Sequence, residues 1–145
     1  MSKKIQIAFI IFSFACFQSI SFALENFYEE GKKRYNEKKF DEAKFLFQRS
    51  IVFNPKEYKS YLYLAKIYNS EKNKEKEEKN IRTVLLLDPT NEEAVFILMK
   101  IELKKSNYLE VKKSLKLFTN ICKNLCEKEK SILESLKNLE PENDS

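Results

Sequence analysis

Two prolines stand 34 residues apart, and each closes an apolar run of the same shape: Ser50-Ile51-Val52-Phe53-Asn54-Pro55 and Thr83-Val84-Leu85-Leu86-Leu87-Asp88-Pro89. That spacing is the period of a helix-turn-helix repeat, whose short helices bury their apolar stripes only by stacking on neighbouring repeats. One Gly, three Pro and no Trp in 145 residues leave few turn formers, while Lys, Glu, Leu, Ile and Phe are abundant. The expected fold is therefore all-α, with helices joined by tight turns, and the composition disfavours a β-rich fold. Such an array presents a surface and seldom builds a catalytic pocket.

Residues 1–23 read differently from the rest. Lys3 and Lys4 precede an apolar stretch from Ile5 to Phe17, and Gln18-Ser19-Ile20-Ser21-Phe22-Ala23 is shorter in side chain and more polar. Ser21 and Ala23 suit the two small positions before a signal-peptidase cut, which makes Leu24 the expected first residue of an exported chain. Two alternatives stay open. Cys16, preceded by Ala15, is a candidate for lipidation, and the segment could remain as an uncleaved anchor, although its apolar core is shorter than the about 20 residues a spanning helix needs. Without residues 1–23 the chain carries 25 basic and 22 acidic side chains, a nearly balanced surface. With Arg34, Arg49 and Arg82 as its only guanidinium groups, it offers little for nucleic-acid recognition.

Read back from Pro55, one unit covers residues 24–57. Phe27, Gly31, Arg34 and Tyr35 share a face of its first helix, and Phe40, Ala43, Phe47, Ser50 and Ile51 share a face of its second. The pattern Phe27, Gly31, Ala43, Phe47 and Pro55 resembles the tetratricopeptide repeat family, in which aromatic and small residues alternate between the two helices and proline ends the unit. A second unit, residues 58–91, repeats it with Tyr61, Leu64, Ala65, Tyr68, Ile81, Val84 and Pro89. Its small position is Glu77, inside a ten-residue polar run, Glu71 to Asn80, so the second helix here is expected to pack loosely, begin late or give way to a solvated turn. A third unit, residues 92–125, keeps Val95, Leu98, Met99, Tyr108, Val111, Leu115 and Phe118 but has Lys123 in place of the closing proline. Thr90 with Glu93, and Asn107 with Glu110, read as capping boxes. Ile132, Leu133, Leu136 and Leu139 mark a capping helix over about 127–139, and residues 140–145 form a polar tail. The resemblance implies a short α-solenoid of three hairpins plus that helix, over residues 24–139.

No His occurs in the chain, which removes the commonest general base and zinc nitrogen ligand, and a single Gly writes no phosphate-binding loop. No enzyme activity, cofactor or metal is expected. Cys122 and Cys126 are four residues apart; one helical turn brings such Cα atoms to about 6 Å, so a disulfide and a pair of free thiols are both open.

The resemblance also implies that the first helices line a concave groove and that the ninth repeat position points into it. That position is Lys32, Lys66 and Lys100. Four residues earlier stand Tyr28, Leu62 and Phe96, and three later Tyr35, Asn69 and Leu103. Lysines flanked by aromatic and aliphatic surface suit an extended protein segment carrying acidic residues or a C-terminal carboxylate. The family's carboxylate clamp also uses an Asn that this chain lacks at the ninth position. The expected function is a protein-protein interaction module in a bacterial cell envelope, in the periplasm or on the membrane. The alternative is a membrane-tethered lipoprotein acting as a structural or outer-membrane assembly subunit.

Overall fold

The computed structural model describes residues 27–139. The expected signal segment, residues 1–23, with Cys16 and the lipid or anchor alternatives, and the tail, residues 140–145, lie outside the described residues. Among the described residues there are seven helices and no strand. They are α1 (residues 27–36), α2 (Phe40–Phe53), α3 (Tyr58–Ser70), α4 (Lys74–Leu87), α5 (Glu92–Lys104), α6 (Tyr108–Ile121) and α7 (Lys128–Leu139). The order is that of three helical hairpins and a final helix. The chain divides into two compact units, Met1–Tyr63 and Leu64–Ser145, with the division inside α3.

Every hairpin turns in the same way. Lys38, Lys72 and Ser106, spaced by the repeat, have φ of 61°, 59° and 57°. At each, the next amide reaches five residues back: Lys39 N to Arg34 O at 2.9 Å, Asn73 N to Tyr68 O at 2.9 Å and Asn107 N to Glu102 O at 3.0 Å. This is the Schellman closure, in which a left-handed residue lets two amides satisfy carbonyls the helix leaves open. The turns are built without glycine.

The one glycine serves packing instead. In the first unit a Cβ on Gly31 of α1 would lie 2.9 Å from Cε1 of Phe47, so a side chain there would displace the buried ring of α2. Ala43 and Ser50 of α2 are buried beside it in sequence, and Ser60 donates a buried hydrogen bond to Ser50 Oγ at 3.0 Å. In the second unit Val95, Met99 and Leu103 of α5, Val111 and Phe118 of α6, and Ile132 and Leu136 of α7 form one core. The apolar face of α7 thus meets the third hairpin, as the covering role requires.

Several local expectations are corrected. The polar run opens α4 on time: Asn73 is its N-cap, accepting from Lys76 N at 3.1 Å, and Glu77 is 6% exposed on the packed face. The cap of one well-placed Asn outweighs the polar composition that suggested a turn. The N-cap of α5 is Asn91, which accepts from Ala94 N at 3.0 Å, whereas Thr90 bonds Asp88 and Glu93 pairs with Lys66. Asn107 caps α6 by position but its side chain makes no capping bond; it donates to Glu102 Oε2 at 3.0 Å, and Glu110 pairs with Lys113. Glu102, 2% exposed, also accepts from Arg82 at 2.6 Å, which explains why a carboxylate can be buried there.

Candidate functional site

The nine expected contact residues all fall on first helices of hairpins, and their surroundings separate them. In the first unit, Tyr28 and Tyr35 of α1 both pack edge-on against Tyr63, with ring centroids 6.0 and 5.0 Å away, and Tyr63 stacks on Phe47 at 4.9 Å. Burial pushes the Tyr28 phenol well above its ordinary range, with smaller contributions from Tyr63 and Glu29. Lys32 lies 4.0 Å from Glu29 and is half exposed. Leu62 is 8% exposed, a packing residue with almost no surface to offer a partner.

In the second unit the lysines also differ. Lys66 holds Glu93 at 2.7 Å, so its ammonium is already paired. The expected row of three equivalent ammonium groups is therefore not present, because the capping-box glutamate, released from its expected role by Asn91, reaches Lys66 instead. Asn69 is exposed. Lys100 is exposed and sits 5.6 Å above the Phe96 ring, and it makes no ion pair among the described residues. Leu103 is 9% exposed and belongs to the core.

Phe96, Lys100 and Leu103 nevertheless meet in one place. They line an open hollow of about 620 Å³ between α5 and α7, together with Lys104, Lys128, Ser131, Ile132, Ser135 and Leu139. Its volume lies within the range of ligand pockets. Phe96, Leu103, Ile132 and Leu139 give the lining an aromatic and aliphatic part; three ammonium groups, of which Lys128 pairs with Glu127 at 3.5 Å, and two hydroxyls complete it, and among the described residues no acid lines it. Glu77 of α4 is a nearby counter-charge: burial raises its carboxyl, while Lys104 and Lys100 draw it back. Tyr108 closes one end of α7 by donating to Leu139 O at 2.7 Å.

Sequence reasoning missed the half of this hollow that α7 supplies. Its signal was legible: Lys104 is one turn beyond Lys100, and Lys128, Ser131 and Ser135 recur at helical spacing along the polar side of the capping helix.

Cys122 and Cys126 are joined in the structure, with Cα atoms 5.2 Å apart. A loop brings them together, where the sequence had suggested a helical turn: α6 ends at Ile121, Cys122 is extended with ψ 142°, and α7 starts at Lys128. Glu92, the first residue of α5, closes on this loop. Its carboxylate accepts from Lys123 N at 2.6 Å, Asn124 N at 3.0 Å, Leu125 N at 3.3 Å and Asn124 Nδ2 at 2.9 Å. These bonds, the one from Lys123 N first, hold its carboxyl down at about 2. Of this loop the sequence marked the two cysteines and Lys123, which stands where the other units have proline. Among the described residues no group of three or more His, Cys, Asp or Glu could hold a metal ion, and no helix is long and apolar enough to cross a membrane.

No family model and no curated protein matches the chain. Solved structures do. The type III secretion chaperone SycD of Yersinia enterocolitica, solved with a peptide of the translocator YopD, is 18% identical and superposes with a TM-score of 0.69 over 81% of this chain and 92% of that one. PcrH, solved with the chaperone binding region of PopD, is 17% identical, with a TM-score of 0.70 over 81% of this chain and 93% of its own. The Sgt2 tetratricopeptide domain of Aspergillus fumigatus is 17% identical, with a TM-score of 0.61 over 85% and 87% of the two chains. At these identities the likeness speaks for the fold: the chain has the tetratricopeptide-type, all-α helical-repeat architecture.

Proposed function

We propose that this chain is a protein-interaction module that takes an extended segment of a partner protein, and that the α5–α7 hollow holds an acidic residue or terminal carboxylate of that segment beside an apolar side chain. The observation that carries this reading is the lining of the hollow, which brings Lys100, Lys104 and Lys128 together with Phe96, Leu103, Ile132 and Leu139. The ammonium groups steer and orient an anion, while the apolar part of the lining supplies burial. Two of the similar solved chains, SycD and PcrH, were captured with a segment of another protein, which supports peptide binding as the use of this architecture. Asn69, in the same unit as the hollow, is the further contact this reading assigns to a partner. Lys66 is left out because Glu93 occupies it.

The location proposed is the bacterial cell envelope, supported by the basic, apolar and small-residue order of residues 1–23. Intact mass of the protein from its native host tests this: a chain beginning at Leu24 agrees, a lipid on Cys16 favours the tethered assembly subunit, and an unprocessed chain retains the anchor.

A fluorescein-labelled acidic hexapeptide with leucine beside its free C-terminal carboxylate tests the hollow by anisotropy. Saturable binding is expected, weakened about tenfold or more by amidating that carboxylate or by Lys100→Glu with Lys128→Glu. Equal binding by peptide and amide, and by wild type and variant, refutes the assignment.

A further inference from the structure

The loop between α6 and α7 is held twice, once by the Cys122–Cys126 bond and once by the Glu92 carboxylate. The two constraints act on the same short stretch of backbone. Three consecutive amides, those of Lys123, Asn124 and Leu125, converge on one carboxylate only if the backbone between the cysteines stays curled, and the disulfide ties the ends of that curl. The loop also starts α7. Lys128 N donates to Leu125 O at 2.8 Å and Glu129 N to Cys126 O at 3.1 Å, so the carbonyls that open the helix belong to the tied segment. Thr119 Oγ1 at the end of α6 adds a bond to Glu129 Oε1 at 3.1 Å. Beyond this start, α7 contributes Lys128, Ser131, Ile132, Ser135 and Leu139 to the hollow.

We propose that the Cys122–Cys126 disulfide is a redox switch on the hollow: bonded, it presents the loop amides to Glu92 and fixes the start of α7; reduced, it releases that end of α7 and weakens the hollow's hold on its occupant. The switching half stands on the loop geometry, and the binding half rests on the reading of the hollow given above. Reduction by a dithiol passes two electrons and two protons to the chain. The Sγ–Sγ bond breaks, Cys122 and Cys126 each become a thiol, and the dithiol closes into its own disulfide. The freed loop regains backbone entropy that Glu92 alone must then overcome to keep the three amides together. Because the closed loop is short, the effect on global stability is small and the change is local, at the first turns of α7.

Hydrogen exchange of the full chain, followed by mass spectrometry with no peptide present, reads that change directly. Peptides covering residues 122–139 are expected to exchange about tenfold faster after dithiothreitol, with those covering α4 unchanged. Equal exchange in the two states overturns the proposal. The double variant Cys122→Ser with Cys126→Ser keeps Cys16 and is expected to exchange at the fast rate with or without dithiothreitol; a remaining response to dithiothreitol overturns it. Glu92→Gln in the oxidised protein is expected to exchange as fast as the reduced wild type, and a slow rate there shows that the carboxylate does not transmit the constraint and overturns it too. Affinity for the acidic hexapeptide is expected to fall about tenfold on reduction. A chain whose exchange responds but which binds no peptide in either state retains the switch and loses the reading of the hollow.

Discussion

Helices α4 and α6 hold the same place in successive repeats, yet both of their ends are built differently. At its start α4 has a capped N-terminus and a buried carboxylate, Asn73 and Glu77, where α6 has an Asn107 turned away to Glu102 and the apolar Val111. At its end α4 runs into Asp88-Pro89, and Asp88 Oδ1 accepts from Thr90 N at 3.3 Å, so the turn satisfies itself. Asn54 does the same before Pro55 through Lys56 N at 3.3 Å. After α6, Cys122 has no carboxylate or amide to offer and Lys123 has replaced the proline. The acceptor comes from outside, as Glu92 from α5, and takes three backbone amides where Asp88 takes one. Where the other two ends close on a local side chain, this one closes on a tertiary bond, and its failure would be felt by the helix that follows.

The largest effect is expected from Glu92→Ala, which leaves three loop amides to water and should cost about 2 kcal/mol by urea unfolding, given the strength of hydrogen bonds to a charged acceptor. Asp88→Ala, removing a weaker and local acceptor, should cost about 1 kcal/mol. If the two losses are equal, the outside acceptor has no special weight. At the helix starts, Glu77→Ala should stabilise the protein by about 1 kcal/mol at neutral pH, since it removes a desolvated carboxylate from a position the first repeat fills with Ala43. That gain should shrink in acid, because a raised carboxyl is protonated first and its burial then costs less. A loss instead would show that Lys100 and Lys104 compensate the charge in full.

The pH dependence of Glu92 runs the other way. Its carboxyl is held near 2 in the fold against an ordinary 4.5, so the clasp contributes stability that is present above the ordinary value and is lost as pH falls through about 2. A carboxyl-carbon NMR titration should give a midpoint near 2 for Glu92, and a midpoint near 4.5 would mean the loop amides do not bind it. The smallest effect belongs to the hairpin turns: Ser106→Gly should stabilise by about 0.5–1 kcal/mol, because a left-handed φ strains any side chain.

The architecture was legible because periodicity survives substitution. Gly31, Ala65 and Met99 are all buried one repeat apart, as are Ala43, Glu77 and Val111, although the residue types change. What misled was local chemistry with more than one acceptor in reach. Thr90, Asn91 and Glu93 all suit a helix start, and only their three-dimensional partners decide that Asn91 caps while Glu93 crosses to Lys66. The hollow was half legible for a similar reason. Phe96, Lys100 and Leu103 follow from the repeat, whereas Lys128 and Ser131 lie on a helix outside it and have no repeat equivalent to point them out. Glu92 could not be read at all, since its partners stand 31 to 33 residues away and are backbone amides, which carry no side-chain signature.

The Schellman closures at Lys38, Lys72 and Ser106 bear on the order in which the chain assembles. Each forms between residues five apart, so a hairpin can set its turn without waiting for distant chain to arrive, and such low contact order favours fast folding. The Glu92 clasp spans a whole repeat and needs α5, α6 and the loop in place first. Removing that carboxylate should therefore leave the refolding rate nearly unchanged and appear in stopped-flow traces as faster unfolding, which makes the last contact to form the one that sets how long the folded third hairpin persists.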